Sequence, residues 1–107
     1  IVVINDGSKD NTEKILCENN INHIKLINNL GIGGAVQTGY KYALENDYDI
    51  AVQFDGDGQH DIRYVRDVIK PITDNDANMV IGSRYHDTTA LCGFGVRSKQ
   101  KSGCWKY

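Results

Sequence analysis

The chain has 107 residues, about the length of one domain, with a formal net charge of -2 and a pI near 5.8. Apolar residues make up 40% and charged residues 24%, which is ordinary globular usage and excludes a disordered or fibrous chain. The weak negative charge argues against nucleic acid as a partner, and no apolar run approaches the roughly 18 residues that a membrane-spanning helix needs.

The first half of the chain contains two strand signals and two helix signals. Residues 1–4 form a continuous apolar run, typical of a strand buried on both faces. Asp10 and Glu13 have the spacing of a capping box, which predicts a helix start. Residues 23–28 predict a second strand. Residues 29–34 are glycine-rich and predict a turn, followed by a helix with its apolar side chains on one face.

The second half continues the alternation. Residues 50–54 predict a third strand, which runs directly into an Asp-Gly-Asp-Gly sequence. A helix is predicted from Asp61 to about Pro71, because proline disrupts a helix interior. Residues 79–82 predict a fourth strand. Strands that alternate with helices are typical of βαβ units, so we expect an α/β fold of three layers, with helices on both faces of a mainly parallel sheet.

The two ends of the chain depart from this pattern. The sequence begins inside the first strand signal, and residues 86–107 lack the periodicity seen upstream. We therefore expect a fragment truncated at both ends, with residues 1–85 as a partial α/β domain and residues 86–107 as a divergent or poorly ordered tail. A sheet that lacks an inner strand exposes an apolar edge, so we also expect self-association.

The cysteines carry little information at this level. The three of them, Cys17, Cys92 and Cys104, are irregularly spaced and form no C-x-x-C pair. This spacing predicts neither a zinc knuckle nor a redox motif. We expect reduced thiols and a cytoplasmic location.

Polar residues of unusual kinds follow the predicted strands at their carboxyl ends. Asp6 follows the first strand, Asp55 and Asp57 follow the third, and Arg84 follows the fourth. In open α/β sheets, ligands bind beyond the carboxyl ends of the strands. We therefore expect these four side chains to share one binding site.

The strongest metal candidates are Asp55 and Asp57. Two carboxylates one residue apart suit Mg²⁺ or Mn²⁺, which also bind phosphate oxygens. The glycines beside them let backbone approach a ligand closely. The same spacing occurs at residues 47–49 and 74–76, but those pairs precede strands and are interpreted as solvated turns.

Other residues near the predicted site keep two interpretations each. Asp6 either accepts hydrogen bonds from a ribose or base, or is an ordinary turn aspartate. Arg84 pairs either with a pyrophosphate or with a surface carboxylate. Gln59 offers a carbonyl oxygen to the ion, whereas His60 is expected to be an exposed loop histidine. The glycines of residues 31–34 either contact an anion or let a helix pack closely against the sheet.

Four segments in order match one family. They are Val-Ile-Asn-Asp-Gly-Ser-Lys-Asp-Asn-Thr (3–12), Asn-Leu-Gly-Ile-Gly-Gly-Ala (29–35), Phe-Asp-Gly-Asp-Gly-Gln-His (54–60) and Val-Ile-Gly-Ser-Arg (80–84). The chain resembles family 2 glycosyltransferases with the Rossmann-like GT-A fold of nucleotide-diphospho-sugar transferases, near the dolichyl-phosphate mannose or glucose synthase branch. The resemblance covers residues 1–85.

The resemblance implies a hexosyltransferase-like enzyme that inverts the anomeric carbon of a GDP- or UDP-linked sugar. It implies that Asp55 and Asp57, with Gln59 as a further ligand, hold Mg²⁺ or Mn²⁺ at the diphosphate. Residues that contact the nucleotide sugar would be Ile4 through its backbone, Asp6, Gly56, Asp57 and Arg84.

The same resemblance bears on the acceptor and on what the chain lacks. It implies a lipid phosphate or a glycan as acceptor, and a cytoplasmic protein that can be peripheral at a membrane. The family's earlier strand and its later acceptor-binding region are missing, so we expect only the donor-binding portion, with no residue assignable as general base. Two alternatives stay open, namely a non-catalytic remnant of the fold and a sugar-phosphate nucleotidyltransferase.

Overall fold

The structure is a computed structural model that describes residues 1–82 and the backbone of residues 95–98. The chain divides into two compact units, Ile1–Tyr42 and Ala43–Tyr107. The strands are β1 (Val3–Asn5), β2 (His23–Lys25), β3 (Ile50–Gln53), β4 (Met79–Ile81) and β5 (Gly95–Ser98). The helices are α1 (Thr12–Glu18), α2 (Gly31–Glu45) and α3 (Val65–Thr73), the last preceded by a 3₁₀ turn, Ile62–Tyr64.

The first unit contains the predicted βαβ arrangement. β1 and β2 pair in parallel, with Ile4 opposite Ile24, and α1 connects them. Backbone hydrogen bonds extend the ladder at both ends, from the Val3 N–H to the Asn22 carbonyl and from the Leu26 N–H to the Asn5 carbonyl, each at 2.9 Å. The parallel pairing predicted for the first two strands is therefore confirmed.

The start of α1 differs from the predicted capping box. Asp10 does hold the first turn, because its Oδ1 accepts the Thr12 hydroxyl at 2.5 Å and the Thr12 N–H at 2.9 Å. These two bonds lower the pKa of Asp10. Glu13, however, does not reach back to the helix start. Its carboxylate accepts a hydrogen bond from the buried side chain of Asn5 instead, and Asp10 bonds to Thr12 rather than to the Glu13 N–H. The predicted capping box is therefore wrong, although a helix does begin here, at Thr12.

The turn predicted for the glycine-rich residues 29–34 is wrong, because α2 begins within this segment. The helix starts at Gly31, which has a φ of +73°. Close packing of helix against strand occurs at Gly39, where a methyl group would lie 3.7 Å from Ile4. At Gly34 the crowding neighbour is the side chain of Leu30, and a methyl group there would collide with it. The close packing of helix against strand that was predicted for the glycines of residues 31–34 is therefore observed at Gly39 instead.

The second unit contains a sheet that is not parallel. β5 lies between β3 and β4 and pairs with both in the antiparallel sense, with Val96 opposite Val52 and Val80. β3 and β4 therefore run in the same direction, as expected, but they are not neighbours. The parallel sheet predicted for these strands is wrong, because the intervening strand comes from a basic segment with a single strongly apolar residue.

The core of the second unit is built on α3. Val68 and Ile72 are buried and pack against β3 and β4 through Ile50, Val52 and Val80. The helix predicted to end near Pro71 ends two residues later, at Thr73. Proline removes one hydrogen bond near the end of the helix, whereas two more residues of helix place Ile72 in the core. The Pro71 carbonyl then accepts the N–H groups of Asp76 and Ala77.

The α/β class is confirmed by these elements, whereas the three-layer arrangement stays a prediction. Within residues 86–107, the predicted tail, β5 occupies 95–98 and the remainder lies outside the described residues. In the described part of the chain, no helix combines the length and the apolar character needed to cross a membrane.

Candidate functional site

The carboxyl end of β1 is anchored by a buried amide. Asn5 is 2% exposed, and its Oδ1 accepts the N–H of Ser8 at 2.9 Å. Its Nδ2 donates to Glu13 Oε2 at 2.7 Å. A buried amide with both ends hydrogen-bonded costs little to bury and fixes the loop that follows the strand. Gly7 makes the turn with a φ of +74°, a conformation that favours glycine.

Asp6, the first predicted site residue, ties two loops of the first unit together. Its Oδ1 accepts the N–H of Leu30 at 2.7 Å, and its backbone carbonyl accepts Asn29 Nδ2 at 3.0 Å. Within the described part of the chain, the other carboxylate oxygen has no hydrogen-bond partner. The side chain therefore has a structural role and, at the same time, one oxygen that can accept a hydrogen bond from a ligand.

The carboxyl end of β3 is organised by His60. The His60 side chain is only 7% exposed, so the prediction of an exposed loop histidine is wrong. The ring packs edge-on against Phe54, with centroids 5.4 Å apart. Its Nδ1 accepts the N–H of Asp55 at 3.0 Å, which places the proton of the neutral ring on Nε2. Phe54 therefore supplies the apolar surface against which His60 packs. The sequence did not reveal this contact.

Asp55 and Asp57 present their side chains at the surface. The Asp55 side chain is 53% exposed, with Oδ1 accepting Gln53 Nε2 at 3.2 Å and Oδ2 lying 3.8 Å from His60 Nε2. Asp57 Oδ1 accepts the backbone N–H of Gln59 at 2.9 Å. A methyl group built at Gly56 would have no atom within 4 Å. The loop therefore leaves open space beside two exposed carboxylates.

The donor set at this loop fits a hard divalent cation. Mg²⁺ binds through one or two carboxylates while it keeps several waters or takes phosphate oxygens, and Asp55 and Asp57 supply such carboxylates. Among the described residues, no group of three His, Cys or acidic ligand atoms within 4.8 Å of one another occurs at this loop. An ion here would therefore depend on water, on a substrate or on an amide such as that of Gln59.

A third aspartate, Asp61, ends the same loop. Its Oδ1 accepts the N–H of Arg63 at 3.0 Å, which caps the 3₁₀ turn before α3. The Arg63 guanidinium donates to both carboxylate oxygens, the shortest bond being 2.6 Å. These side-chain bonds, followed by the backbone bond, lower the pKa of Asp61. The loop after β3 is thus closed by His60, which bonds back to Asp55, and is joined to the turn before α3 by the cap that Asp61 provides.

The predicted site residues fall into three groups. Ile4 and Asp6 lie in the first unit, with Ile4 in the middle of β1. The loop residues Asp55 to Gln59 lie in the second unit. Arg84 lies outside the described residues. Their convergence on a single site stays a prediction.

One cluster was missed at the level of sequence. Glu13, Cys17 and His23 bring a carboxylate oxygen, a sulfur and a ring nitrogen within 4.8 Å of one another. Glu13 and Cys17 are four residues apart on α1 and so share a helix face, which is the one signal that sequence offered. The approach of His23 depends on the packing of α1 beside β2 and could not be read from spacing.

The chain belongs to glycosyltransferase family 2. The sequence profile described as Glycosyl transferase family 2 matches residues 1–97, well over half of the chain, and so confirms the resemblance drawn from the four segments. The match continues past the last of those segments, residues 80–84, into β5. The GT-A fold is the fold that this family implies.

Two relatives that are named as glycosyltransferases support the same assignment, and a third similar protein is uncharacterised. The UDP-N-acetylglucosamine–dolichyl-phosphate N-acetylglucosaminyltransferase of Methanococcus voltae is 44% identical over 101 residues, covering 78% of this chain and 40% of that protein. An uncharacterised protein of Methanocaldococcus jannaschii is 42% identical over 91 residues, covering 85% and 37%. The dolichyl-phosphate beta-glucosyltransferase of Dictyostelium discoideum is 39% identical over 98 residues, covering 80% and 28%. No solved structure matches the chain significantly.

The chain spans between 28% and 40% of the length of these three relatives. The relatives therefore identify the family of this chain. The activity of a whole protein is treated below as a proposal.

Proposed function

We propose that the chain is the donor-binding portion of a glycosyltransferase that moves a sugar from a GDP- or UDP-linked donor, with inversion and with metal assistance. The observation that carries the proposal is the exposed Asp55 and Asp57 pair directly after β3 in a chain of glycosyltransferase family 2. Exposed carboxylates in an open loop are suited to a divalent cation that also binds the oxygens of a diphosphate.

The cation would be held by Asp55 and Asp57, with the Gln59 side chain as a further oxygen ligand. Mg²⁺ or Mn²⁺ would neutralise the charge that develops on the departing diphosphate. The protein prepares this role through His60, which accepts the Asp55 N–H and lies beside its carboxylate. Gly56 leaves room for the donor beside the two carboxylates.

The nucleotide-sugar contacts proposed are those that the family resemblance implies. Asp6 would use its second carboxylate oxygen to accept a hydrogen bond from the ribose or base, beside the Ile4 backbone. Gly56 and Asp57 would lie against the sugar diphosphate, and Arg84 would pair with a phosphate. This assignment rests on the family, and for Asp6, Gly56 and Asp57 also on their positions just after β1 and β3.

The acceptor proposed is a lipid phosphate rather than a glycan. Two of the relatives are named for transfer to dolichyl phosphate, and this chain is 44% and 39% identical to them. A lipid phosphate presents its reactive oxygen at a membrane surface, so we propose peripheral association of the whole protein with a membrane. The cytoplasmic location and the self-association expected from the sequence stay predictions.

Calorimetry with UDP and with GDP, each with and without Mn²⁺, tests the donor site on the full chain. We expect binding that strengthens at least about tenfold with Mn²⁺, because the ion links the diphosphate to the carboxylates. Asp57→Asn should remove that gain. Asp49→Asn is the matched control, since Asp47 and Asp49 have the same spacing in another exposed loop.

Three results would contradict the proposal. They are binding that ignores Mn²⁺, binding that survives Asp57→Asn, and an equal loss in Asp49→Asn. Release of pyrophosphate from a nucleoside triphosphate and a sugar phosphate would instead support the nucleotidyltransferase alternative. Metal-dependent donor binding by a whole protein that transfers no sugar to a polyprenyl phosphate would support the non-catalytic alternative.

A further inference from the structure

Glu13, Cys17 and His23 form a cluster in the first unit that the proposed donor site does not use. Glu13 and Cys17 lie on α1, and His23 begins β2. In residues 1–82, this is the one place where three His, Cys or acidic residues bring ligand atoms within 4.8 Å of one another. The three atoms are an oxygen, a sulfur and a nitrogen, so the group is not a simple cluster of surface carboxylates.

The spacing of the atoms is close to that of a tetrahedral metal site. His23 Nε2 lies 3.4 Å from Glu13 Oε1 and 4.0 Å from Cys17 Sγ. Bonds of about 2.0–2.3 Å to a tetrahedral ion place ligand atoms roughly 3.3–3.6 Å apart. The nitrogen–oxygen pair already has this separation. Cys17 is exposed, so a small side-chain rotation closes the remaining gap.

The imidazole of His23 is held in the orientation that a metal ligand needs. Its Nδ1 lies 2.7 Å from the carbonyl oxygen of Ile21, and a carbonyl can only accept, so Nδ1 carries a proton. In the neutral ring, Nε2 then has its lone pair directed toward the cluster. A backbone carbonyl that accepts the second ring N–H is the usual outer partner of a metal-bound histidine. His23 is also shielded, with a side chain only 19% exposed.

Glu13 is likewise oriented from outside the cluster. Its Oε2 accepts the buried Asn5 amide, which leaves Oε1 directed toward His23.

We propose that Glu13, Cys17 and His23 form a binding site for Zn²⁺, with water in a fourth position. A thiolate and an imidazole favour a borderline-soft ion such as Zn²⁺ over Mg²⁺ or Ca²⁺. The site is separate from the carboxylates after β3 and does not depend on the proposed function. Bound Zn²⁺ would cross-link α1 to the start of β2 and stabilise the first unit.

Optical titration with Co²⁺, a spectroscopic substitute for Zn²⁺, tests the site directly. The full chain with Cys92→Ser and Cys104→Ser retains Cys17 as its single thiol. We expect a near-ultraviolet sulfur-to-cobalt charge-transfer band that saturates at one ion per chain and disappears on addition of Zn²⁺. Absence of that band would overturn the proposal, because an ion bound without the thiolate is not at this site.

Single substitutions in the same background assign the ligands. Cys17→Ser and His23→Gln should each weaken Zn²⁺ binding at least about tenfold, since even the loss of an outer partner costs 10- to 100-fold. Glu18→Gln is the control, because Glu18 lies on α1 but pairs with Lys14 at 3.7 Å. The Tm should rise with Zn²⁺ in the parent and in Glu18→Gln, and stay unchanged in Cys17→Ser.

The exposed position of Cys17 keeps the test independent of folding, since serine there should leave the metal-free Tm unchanged. Zn²⁺ affinity of Cys17→Ser within twofold of the parent would overturn the proposal, whatever happens in His23→Gln. An equal loss of affinity in Glu18→Gln would overturn it as well.

Discussion

His60 holds Asp55 from two sides. Its Nδ1 accepts the Asp55 backbone N–H at 3.0 Å, and its Nε2 lies 3.8 Å from the carboxylate of the same residue. The ring itself is almost fully buried, whereas the carboxylate is half exposed. A buried histidine thus positions an exposed acidic group, and this relationship connects the stability of the loop after β3 to its proposed ability to bind a cation.

Substitution of His60 should therefore destabilise the chain. His60→Ala removes the acceptor for the Asp55 N–H and the edge-on contact with Phe54, so we expect a loss of about 1–2 kcal/mol in the free energy of unfolding. Urea denaturation measures it. His60→Asn is the matched control, because an amide oxygen can accept the same N–H and should restore part of the loss. Equal stability of His60→Ala and the native chain would show that the contact is dispensable.

Two neighbouring glycines in α2 should respond differently to the same change. A methyl group at Gly33 meets no atom within 4 Å, so Gly33→Ala should stabilise the helix by about 0.5–1 kcal/mol through helix propensity. A methyl group at Gly34 collides with Leu30, so Gly34→Ala should forfeit that gain or destabilise the chain. Thermal unfolding of the pair distinguishes the two effects. Equal Tm values for both variants would contradict the close approach of Leu30.

The lowered pKa of Asp61 predicts a dependence of stability on pH. Because the folded-state pKa lies below the ordinary value of 3.8, ionised Asp61 stabilises the fold above that value, and the contribution is lost as pH falls through the folded pKa. Asp61→Asn keeps a capping oxygen but removes the charge. The difference in unfolding free energy between the native chain and Asp61→Asn should therefore be largest near neutral pH and shrink below about pH 4. A difference that stays constant from pH 7 to pH 3 would be inconsistent with this assignment.

Much of the fold was predictable because local pattern and tertiary structure agree. Apolar runs located β1, β3 and β4 to within a residue or two, and helical spacing located the body of α3. β5 was not predictable, because Val96 is its single strongly apolar residue and its pairing with β3 and β4 comes from distant backbone. The helix α3 also continues two residues past Pro71, because burial of Ile72 compensates for the hydrogen bond that proline removes.

In the candidate site too, positions that follow from local sequence pattern were predictable, whereas contacts between distant segments were not. The positions of Asp6, Asp55 and Asp57 after β1 and β3 follow from strand patterns alone. The role of His60 does not, because its burial depends on Phe54 and on the path of the loop. Glu13 was assigned to a helix cap because that assignment needs only local spacing. Its actual partners, Asn5 and His23, come from strands that sequence could not place beside it.

The central place of β5 has a consequence for how the protein is made. β3 and β4 are complete when residue 81 has been synthesised, yet the strand that joins them ends at Ser98. Until those later residues leave the ribosome, the edges of β3 and β4 that β5 covers are unpaired. The described sheet of the second unit therefore depends on a late segment of the chain, and a nascent chain that stalls before that segment emerges is exposed to aggregation.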